Sequence, residues 1–267
     1  MNQKYVLAAK DFLKTYKYKI FGQKALKKYH HWFPLYPTEV LARITANILC
    51  DGNLEVRDIN NRCKYYYFGF YSQFISELEK FNYDVENLFG IRGVIKQWGR
   101  RDYGFSMGCI ITNAALIRVM TLCGIPKNEK VSQDFSLPNW ILTGNKEIKS
   151  SFLKAAFSCE GSIGYDISAE SWEIRFFQNK IESLYNEGVD YMNSYKNLLK
   201  EFGIETTKVF VNTKDIRTKD NEISLNLCFK IQKPKSILNY ARYIGFNNKD
   251  KRERLVKAVK WASKTGG

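Results

Sequence analysis

Two segments of the chain, LARITANILCDG at 41–52 and SFLKAAFSCEG at 151–161, share one pattern of residues. Each is an apolar-rich helix candidate that ends in a cysteine, an acidic residue and a glycine. Two further pairs of similar short segments follow in the same order along the chain, 89–91 with 202–204 and 122–125 with 243–246. Repeats in a conserved order indicate a duplicated unit, so the fold is limited to two similar halves.

The hydropathy pattern of each copy predicts the same order of elements, αββαββα. In the first copy we expect helices near 39–51, 72–89 and 113–123, and strands near 54–57, 65–71, 92–98 and 103–110. In the second copy we expect helices near 146–160, 182–202 and 235–244, and strands near 162–166, 172–178, 206–213 and 223–231. Thr38 is a candidate N-cap and Gly124 a candidate C-cap. The predicted fold class is α+β, with two pseudo-symmetric αββαββα halves built on antiparallel sheets.

These elements predict four parts of the chain. They are a basic N-terminal arm (1–37), the first half (38–124), a linker (125–145), and the second half with a basic C-terminal helix (146–267). The linker is assigned from its turn-forming residues, among them Pro126, Pro138 and Gly144.

The charge of the chain indicates its partner. There are 42 Lys plus Arg against 27 Asp plus Glu, a net charge of +15. Such a charge attracts polyanions, and nucleic acid is the most abundant of them. No apolar run approaches the roughly 20 residues that span a bilayer, and charges interrupt each short apolar stretch near the N-terminus. We therefore expect an intracellular protein that does not associate with membranes.

The cysteines and histidines exclude several classes of site. The only histidines are His30 and His31, and no C-x-x-C pair occurs among the six cysteines. Zinc sites need four soft or imidazole ligands at close spacing, so a zinc finger or zinc nuclease is excluded. Catalysis by a Ser/His/Asp triad is excluded as well, unless His30 or His31 supplies the base.

Asp51 and Glu160 occupy equivalent places, each at the end of a predicted helix and before a glycine suited to a left-handed cap. A carboxylate there faces the negative end of the helix dipole, at a cost of up to about 1 kcal/mol. One such residue is ordinarily structural, but two in register indicate another task. Small residues recur every fourth position in both helices: Ala42, Ala46 and Cys50, and Ser151, Ala155 and Cys159.

The two small-residue stripes predict that the two helices pack closely, which would bring both carboxylates together. Two carboxylates in one place repel each other unless a cation lies between them. Hard oxygen ligands without histidine or cysteine favour Mg²⁺. Paired Mg²⁺ ions held by few carboxylates are suited to in-line attack on a phosphodiester.

The two segments resemble the paired motifs of the LAGLIDADG homing endonucleases, in the single-chain form with two motifs. TANILCDG (45–52) and LKAAFSCEG (153–161) carry the resemblance, and FSLPNWIL (135–142) is similar to the segment that leads into the second motif. Leu49 and Ser158 stand where the family often has aspartate, and cysteine replaces the usual alanine before both acids. The resemblance implies a monomeric, site-specific, Mg²⁺-dependent endonuclease that cuts both strands of DNA.

The resemblance also implies roles for individual residues. Asp51 and Glu160 would bind the catalytic Mg²⁺ ions, with the carbonyl groups of Cys50 and Cys159 as further candidate ligands. Mn²⁺ or Ca²⁺ would substitute for Mg²⁺ in binding.

In the second half, the resemblance implies that Lys233 stabilises charge on the scissile phosphate, and that Gln178 is the catalytic glutamine late in the second strand. Alignment of the halves through Gly124 and Gly245 places Thr112 opposite Lys233, so we expect two chemically unequal halves.

Two twisted antiparallel sheets form a saddle that fits the major groove, where base edges differ. The expected partner is double-stranded DNA with a long, asymmetric target site. Alternating polar residues and basic turns are the predicted DNA contacts: Asn53, Glu55, Arg57, Arg92, Lys96, Arg100, Arg101, Glu173, Arg175, Lys208, Asn212, Lys214, Arg217, Ser224, Asn226 and Lys230. The N-terminal arm and the C-terminal helix are expected to lie on flanking phosphates.

Two alternatives remain open on the sequence alone. The first is an RNA-splicing maturase, because some members of the family bind intron RNA. The second is a catalytically inactive, sequence-specific DNA-binding protein on the same scaffold. Retention of both acids favours the endonuclease, whereas the absence of a first-half lysine equivalent to Lys233 keeps the inactive form open.

Overall fold

The fold is described from a computed structural model that covers residues 5–59, 62–101 and 104–265. The side chains of residues 58, 59, 62, 63, 66, 98–101, 104 and 105 lie outside the described part. The chain divides into two compact units. Unit 1 comprises Met1–Asn128 and Pro138–Ile148, and unit 2 comprises Glu129–Leu137 and Lys149–Gly267.

Unit 1 begins with two short helices, α1 (Ala9–Lys14) and α2 (Lys19–Tyr29), followed by a 3-10 turn at His30–Trp32. The first αββαββα set then follows, and its elements are α3 (Glu39–Leu49), β1 (Gly52–Ile59), β2 (Arg62–Ser72), α4 (Ile75–Phe89), β3 (Val94–Arg101), β4 (Gly104–Ile111) and α5 (Ala114–Leu122). The short helix α6 (Asn139–Leu142) also belongs to this unit.

Unit 2 contains the second αββαββα set and one additional helix. Its elements are α7 (Lys146–Glu160, whose first turn belongs to unit 1), β5 (Gly161–Asp166), β6 (Ser171–Ile181), α8 (Tyr185–Lys200), β7 (Phe210–Ile216), β8 (Ile223–Ile231), α9 (Pro234–Tyr243) and α10 (Lys249–Thr265). A 3-10 turn at Glu182–Leu184 leads into α8.

Each unit has one four-stranded antiparallel sheet with the same topology. The strand order is β1-β2-β4-β3 in unit 1 and β5-β6-β8-β7 in unit 2. The register repeats as well, because Gly52 pairs with Phe70 in the first sheet and Gly161 pairs with Phe176 in the second. The structure therefore confirms the predicted fold class, two αββαββα halves on antiparallel sheets, and with it the fold that the LAGLIDADG resemblance implied.

Alternation along the strands gives each sheet a covered face and an open face. In unit 1 the covered face carries Leu54, Phe68 and Phe70, and the ring of Phe70 lies 5.3 Å from that of Phe81 in α4. In unit 2 the ring of Phe176 lies 4.7 Å from Phe157 in α7 and 4.6 Å from Tyr195 in α8. The opposite face of each sheet, called the open face below, carries the polar residues of the same strands.

The N-terminal region packs on the first αββαββα set through its aromatic residues. Phe12 and Trp32 are buried, and Trp32 Nε1 donates a hydrogen bond to the carbonyl of Phe89 at 2.8 Å. The guanidinium group of Arg118, in α5, lies 4.1 Å from the ring of Tyr16 and 4.0 Å from that of Tyr65. Most of the lysines of this region remain exposed, so its basic surface is held in a fixed position on unit 1.

Residues 129–137 pack on the sheet of unit 2 through a buried ammonium group. Lys180 Nζ donates to the carbonyl of Lys130 at 2.9 Å and to that of Gln133. The backbone N–H of Ile181 donates to the carbonyl of Val131 at 3.2 Å. Within the described residues, no helix has the length and apolar character that a membrane crossing requires.

Candidate functional site

Asp51 lies where α3 passes into β1. The helix begins with the predicted N-cap, because Thr38 Oγ1 accepts a hydrogen bond from the backbone N–H of Leu41 at 3.1 Å. It ends at Leu49, and the carbonyl of Asp51 then accepts a hydrogen bond from the backbone N–H of Tyr71 in β2 at 3.1 Å. Strand β2 thus fixes the backbone of Asp51 while the residue itself is exposed.

The glycines after the two acids are required for a reason other than the predicted one. Gly124, which follows the C-cap residue Cys123 of α5, has φ +97 and so adopts the predicted left-handed conformation, but Gly52 and Gly161 are not among the residues with positive φ. A Cβ on Gly52 would lie 2.4 Å from the carbonyl oxygen of Gly69, and one on Gly161 would lie 2.4 Å from that of Phe157. Both glycines are needed because backbone passes too close for any side chain.

Glu160 is the last residue of α7 and is half-buried. The turn before it is held by the region that leads into α10, because Ser158 Oγ accepts a hydrogen bond from the backbone N–H of Asn247 at 2.7 Å. Lys251 Nζ lies 2.5 Å from the carbonyl oxygen of Ser158 and 3.4 Å from that of Cys159. The sequence did not indicate Lys251, because it lies far along the chain in a helix that was expected to bind phosphates.

The small-residue stripes are largely buried. Ala42, Ala46 and Ala155 are fully buried, and Cys50 is 6% exposed. The predicted packing of the two stripes against each other stays a prediction.

Hard cations are compatible with the donors that the two acids provide. Within the described ranges, no group of three or more His, Cys, Asp or Glu side chains is arranged to hold a metal ion. Asp51 and Glu160 each provide one carboxylate, the donor type that Mg²⁺ prefers. The carbonyl of Cys159 already accepts a hydrogen bond from Lys251, so a cation bound there would have to share or displace that contact.

Lys233 is accessible at the start of α9. It is the N-cap residue of this helix, and its Nζ lies 2.5 Å from Glu205 Oε2 in a pair whose side chains are 67% and 66% exposed. The hydrogen bond from Lys233 lowers the pKa of Glu205. Water screens a pair as exposed as this one, so the ammonium group of Lys233 can exchange partners.

Alignment of the two halves by their helices corrects the predicted equivalence of Thr112 and Lys233. Asn113 is the N-cap of α5, with its Oδ1 accepting from the backbone N–H of Leu116 at 3.0 Å, as Lys233 is the N-cap of α9. Helix α9 is one residue longer than α5, which shifts an alignment made at the glycines. With Asn113 in place of Thr112, the first half still has an uncharged residue at this position.

Gln178 is not placed for the predicted catalytic role. It shares the covered face of β6 with Phe176 and Lys180, and it is 6% exposed. Its Oε1 has no hydrogen-bond partner among the described residues. A catalytic side chain must touch the substrate, so Gln178 is removed from the candidate residues.

The open face of unit 1 carries several predicted DNA contacts. The hydroxyl of Tyr71 donates to Asn53 Oδ1 at 3.0 Å, and Glu55 Oε1 accepts from Arg57 Nε at 2.6 Å. Arg92 and Lys96 are exposed. The side chains of Arg100 and Arg101 lie outside the described residues.

Glu173 is the counter-ion of two cations in unit 2. It is 2% exposed because Arg175, Lys230 and Gln232 cover it. Lys230 Nζ lies 2.8 Å from Glu173 Oε2, and the guanidinium group of Arg175 contacts Glu173 Oε1. Glu173 therefore holds Arg175 and Lys230 in fixed positions, and its own contact with DNA stays a prediction.

Three amide side chains form a row across the open face of unit 2. Asn212 Nδ2 donates to Asn226 Oδ1 at 3.2 Å, and Asn226 Nδ2 donates to Asn179 Oδ1 at 2.8 Å. Asn179 was missed from the sequence, although its spacing from Arg175 places both on one face of β6. Amide side chains are suited to adenine edges in the major groove.

The remaining predicted contacts lie around the β7–β8 hairpin. Lys208 is exposed but precedes β7, and Lys214 pairs with Glu182 at 2.5 Å. Ser224 is half-buried at the start of β8. Arg217 Nη2 lies 2.7 Å from Glu129 Oε1, and its side chain is 12% exposed.

Glu129 is held ionised by these cations. Burial opposes ionisation, but the hydrogen bonds from Arg217 and Lys219 lower the pKa of Glu129 below its usual value. Arg217 is therefore a less accessible cation than the sequence suggested, because it is committed to Glu129 and Asp220.

Known proteins match the chain only in part. No protein-family model matches it. It is 31% identical over 104 residues to the tRNA-splicing ligase RtcB of Methanopyrus kandleri, a match that covers 39% of this chain and 10% of that protein. It is 27% identical over 265 residues to the DNA-directed RNA polymerase subunit Rpo1N of Methanocaldococcus jannaschii, covering 91% of this chain and 18% of that protein. The replication factor C small subunit of the same organism is 28% identical over 196 residues, covering 68% of this chain and 10% of that protein. The chain thus spans about a tenth to a fifth of the length of these relatives.

Several solved structures are similar to the chain at low sequence identity. The LAGLIDADG homing endonuclease I-GzeII in complex with its DNA target gives a TM-score of 0.48 at 12% identity, over 84% of this chain and 91% of that chain. A variant of I-DmoI with its target DNA and manganese gives 0.46 at 14%, over 77% and 93%. The N-terminal LAGLIDADG domain of WhiA gives 0.45 at 15%, over 81% and 86%.

Proposed function

We propose that this chain is a site-specific DNA endonuclease that cuts both strands of a duplex and depends on divalent metal ions. The observation that carries the proposal is the equivalence of Asp51 and Glu160. Both acids lie at the end of the first helix of an αββαββα set, and both precede a glycine that pairs with a phenylalanine of the next strand. Chance placement of an acid at one helix end is common, but a matched pair in duplicated units points to shared chemistry.

The proposed roles follow from where the side chains lie. Asp51 and Glu160 would hold the metal ions, with the carbonyl groups of Cys50 and Cys159 as further candidate ligands. Bound Mg²⁺ supplies charge neutralisation at the scissile phosphate and a water of lowered pKa. Lys233 is exposed and can leave Glu205 for a phosphate oxygen, where its charge would stabilise the transition state.

The open faces provide the proposed interface with double-stranded DNA. Their exposed cations suit the phosphate backbone, and the amide row suits base edges. The contacts proposed here are Asn53, Glu55, Arg57, Arg92, Lys96, Arg175, Lys208, Asn179, Asn212, Lys214, Arg217, Ser224, Asn226 and Lys230.

The activities of the curated relatives are not transferred to this chain. The matched proteins are a ligase, a polymerase subunit and a replication factor subunit, and the chain spans at most 18% of the length of those three. A segment shared with three proteins of different function is not expected to carry the activity of any one of them.

A second candidate function is an inactive, sequence-specific DNA-binding protein. The unequal halves favour it, because the first half has Asn113 at the helix start where the second half has Lys233. Both candidates share the proposed DNA interface, so a cleavage assay distinguishes them.

The test uses a supercoiled plasmid as substrate. The plasmid carries the DNA that flanks the segment encoding this chain, joined directly so that the encoding segment is absent. With Mg²⁺, the 267-residue chain should convert the plasmid to a single linear product. Asp51→Asn and Glu160→Gln should each abolish that product while retaining duplex binding. Asp11→Asn, at a partly exposed acid, and Glu253→Gln, at an exposed one, are the matched controls and should cut like the unaltered protein. Binding without cleavage would support the inactive protein, and cleavage by either acid variant would refute the assigned site.

A further inference from the structure

Helix α10 is anchored at its first turn beside the end of α7. Asn248, which is 8% exposed, accepts a hydrogen bond on its Oδ1 from the backbone N–H of Lys251 at 3.1 Å. The backbone N–H of Asn247 donates to Ser158 Oγ at 2.7 Å, and that hydroxyl donates in turn to the carbonyl of Lys154 at 2.7 Å. Lys251 therefore projects from a backbone that is fixed against α7.

The ammonium group of Lys251 lies at the carboxyl-terminal end of α7. Its Nζ is 2.5 Å from the carbonyl oxygen of Ser158 and 3.4 Å from that of Cys159, and the residue is half-buried. The last carbonyl groups of a helix lack donors within the helix and carry its negative partial charge. An ammonium group at this position donates hydrogen bonds to those carbonyl groups, and its positive charge offsets the negative partial charge.

Glu160 adds a full negative charge to the same helix end. A carboxylate there is disfavoured by the helix dipole, and a cation beside the last turn offsets that cost. We propose that Lys251 is a positioning residue for Glu160. Lys251 neutralises the end of α7 and so keeps Glu160 competent to bind a divalent cation. The inference rests on the proposed function, because it concerns the metal ligand of unit 2.

Lys251 belongs to a helix that follows the second αββαββα set. Among the described elements of unit 1, α5 is followed by α6, a helix of four residues, whereas α9 is followed by the 17-residue α10. Loss of Lys251 should therefore weaken one metal site and leave the site of Asp51 intact.

The test measures Mn²⁺ binding by electron paramagnetic resonance on the 267-residue chain, bound to a duplex from the locus that the plasmid carries. Lys251→Met should weaken one Mn²⁺ site by about tenfold or more, the usual effect of losing a group that supports a ligand. Lys251→Arg should restore the affinity, because a guanidinium group keeps the charge. Lys251→Gln, which keeps a donor without the charge, should be weakened like Lys251→Met. Lys200→Met, at an exposed lysine at the end of α8, is the matched control.

Cleavage gives a second readout that a general loss of stability would not reproduce. At limiting Mg²⁺, Lys251→Met should accumulate nicked circular plasmid, and saturating Mg²⁺ should restore the linear product. Wild-type Mn²⁺ affinity in both Lys251→Met and Lys251→Gln would overturn the inference while leaving the endonuclease standing. A wild-type protein that neither binds Mn²⁺ nor cuts would overturn both.

Discussion

Lys180 places a charged group inside unit 2. Its side chain is among the largest fully buried ones, and its Nζ lies 4.1 Å from the centre of the Phe135 ring. Burial lowers the pKa of Lys180 to about 8, because the charged form loses its hydration. The group that fastens residues 129–137 to the sheet therefore begins to lose its charge near physiological pH.

The pKa of Lys180 predicts a dependence of stability on pH. The folded chain holds this proton less tightly than the unfolded chain, whose lysine has a pKa of 10.5. The unfolded chain thus binds more protons above pH 8, so the contribution of Lys180 to the free energy of unfolding rises with pH. We expect a rise of about 2 kcal/mol between pH 7 and pH 9.5, at 1.36 kcal/mol per pKa unit.

Buried thiols oppose this trend and must be subtracted. Burial raises the pKa of Cys109 and Cys123 to about 12 from 9.0, so these groups lower the stability of the folded chain above pH 9. The measurement is therefore the difference in free energy of unfolding between the unaltered protein and Lys180→Met, from urea titrations at each pH. A difference that does not change with pH would contradict the assignment.

Individual residues show how much of the candidate site can be predicted from the sequence. Asp51 and Glu160 were found because repetition itself marks them. The side of the sheet on which Gln178 lies follows from its spacing of two from Phe176, so alternation alone could have excluded it. Glu173 and Lys251 could not be judged in this way, because their roles depend on partners distant in the sequence.

At the scale of elements, the junction between α7 and β5 requires a glycine, because Gly161 has no room for a side chain. Gly161→Ala would place a Cβ 2.4 Å from the carbonyl oxygen of Phe157, so backbone would have to move. We expect the free energy of unfolding to fall by about 2 kcal/mol or more, the usual effect of overpacking. Gly164→Ala, in the same strand but with no atom within 4 Å of the new Cβ, should change it by less than about 1 kcal/mol. Chemical denaturation measures the free energy of unfolding of both variants. Equal values for Gly161→Ala and Gly164→Ala would contradict the requirement for a glycine at position 161.

Elements with strong periodicity were predicted best. The helix expected at 146–160 is observed as Lys146–Glu160, whereas the strand expected at 206–213 is observed as Phe210–Ile216. Residues 206–209 lie outside the strand, and there Thr207 donates its N–H to the carbonyl of Lys230 and accepts the N–H of Lys230 on its hydroxyl. The hairpin then closes where Arg217 N–H donates to the carbonyl of Glu222, a contact that local sequence does not reveal.

At the scale of the whole molecule, the excess of 15 positive charges should dominate the affinity for a duplex. If about 8 phosphates are neutralised, the affinity should fall with salt at a log–log slope near −7. The triple substitution Lys24→Gln, Lys27→Gln and Lys28→Gln, on α2, should reduce the magnitude of that slope by about 2 to 3 if these lysines contact flanking phosphates.

Fluorescence anisotropy with a labelled duplex, over a series of KCl concentrations, provides both slopes. A triple substitution at exposed lysines of α10, Lys257→Gln, Lys260→Gln and Lys264→Gln, tests the C-terminal helix in the same way. An affinity that hardly depends on salt would contradict the prediction that the lysines of α2 and α10 contact DNA phosphates.

The path of the chain between its two units limits how the protein can be divided. The chain enters unit 2 at Glu129, returns to unit 1 for Pro138–Ile148, and then crosses again. The returning segment is tied to unit 1 where Trp140 Nε1 donates to the carbonyl of Cys123 at 3.0 Å, and Lys180 ties down the preceding one. No single cut in the chain therefore yields two intact units. A gene split before Glu129 would leave unit 1 without Pro138–Ile148, and a gene split after Ile148 would leave unit 2 without Glu129–Leu137. Neither unit could be expressed alone, or paired with a copy of itself, until the segment that it lacks had been joined to it.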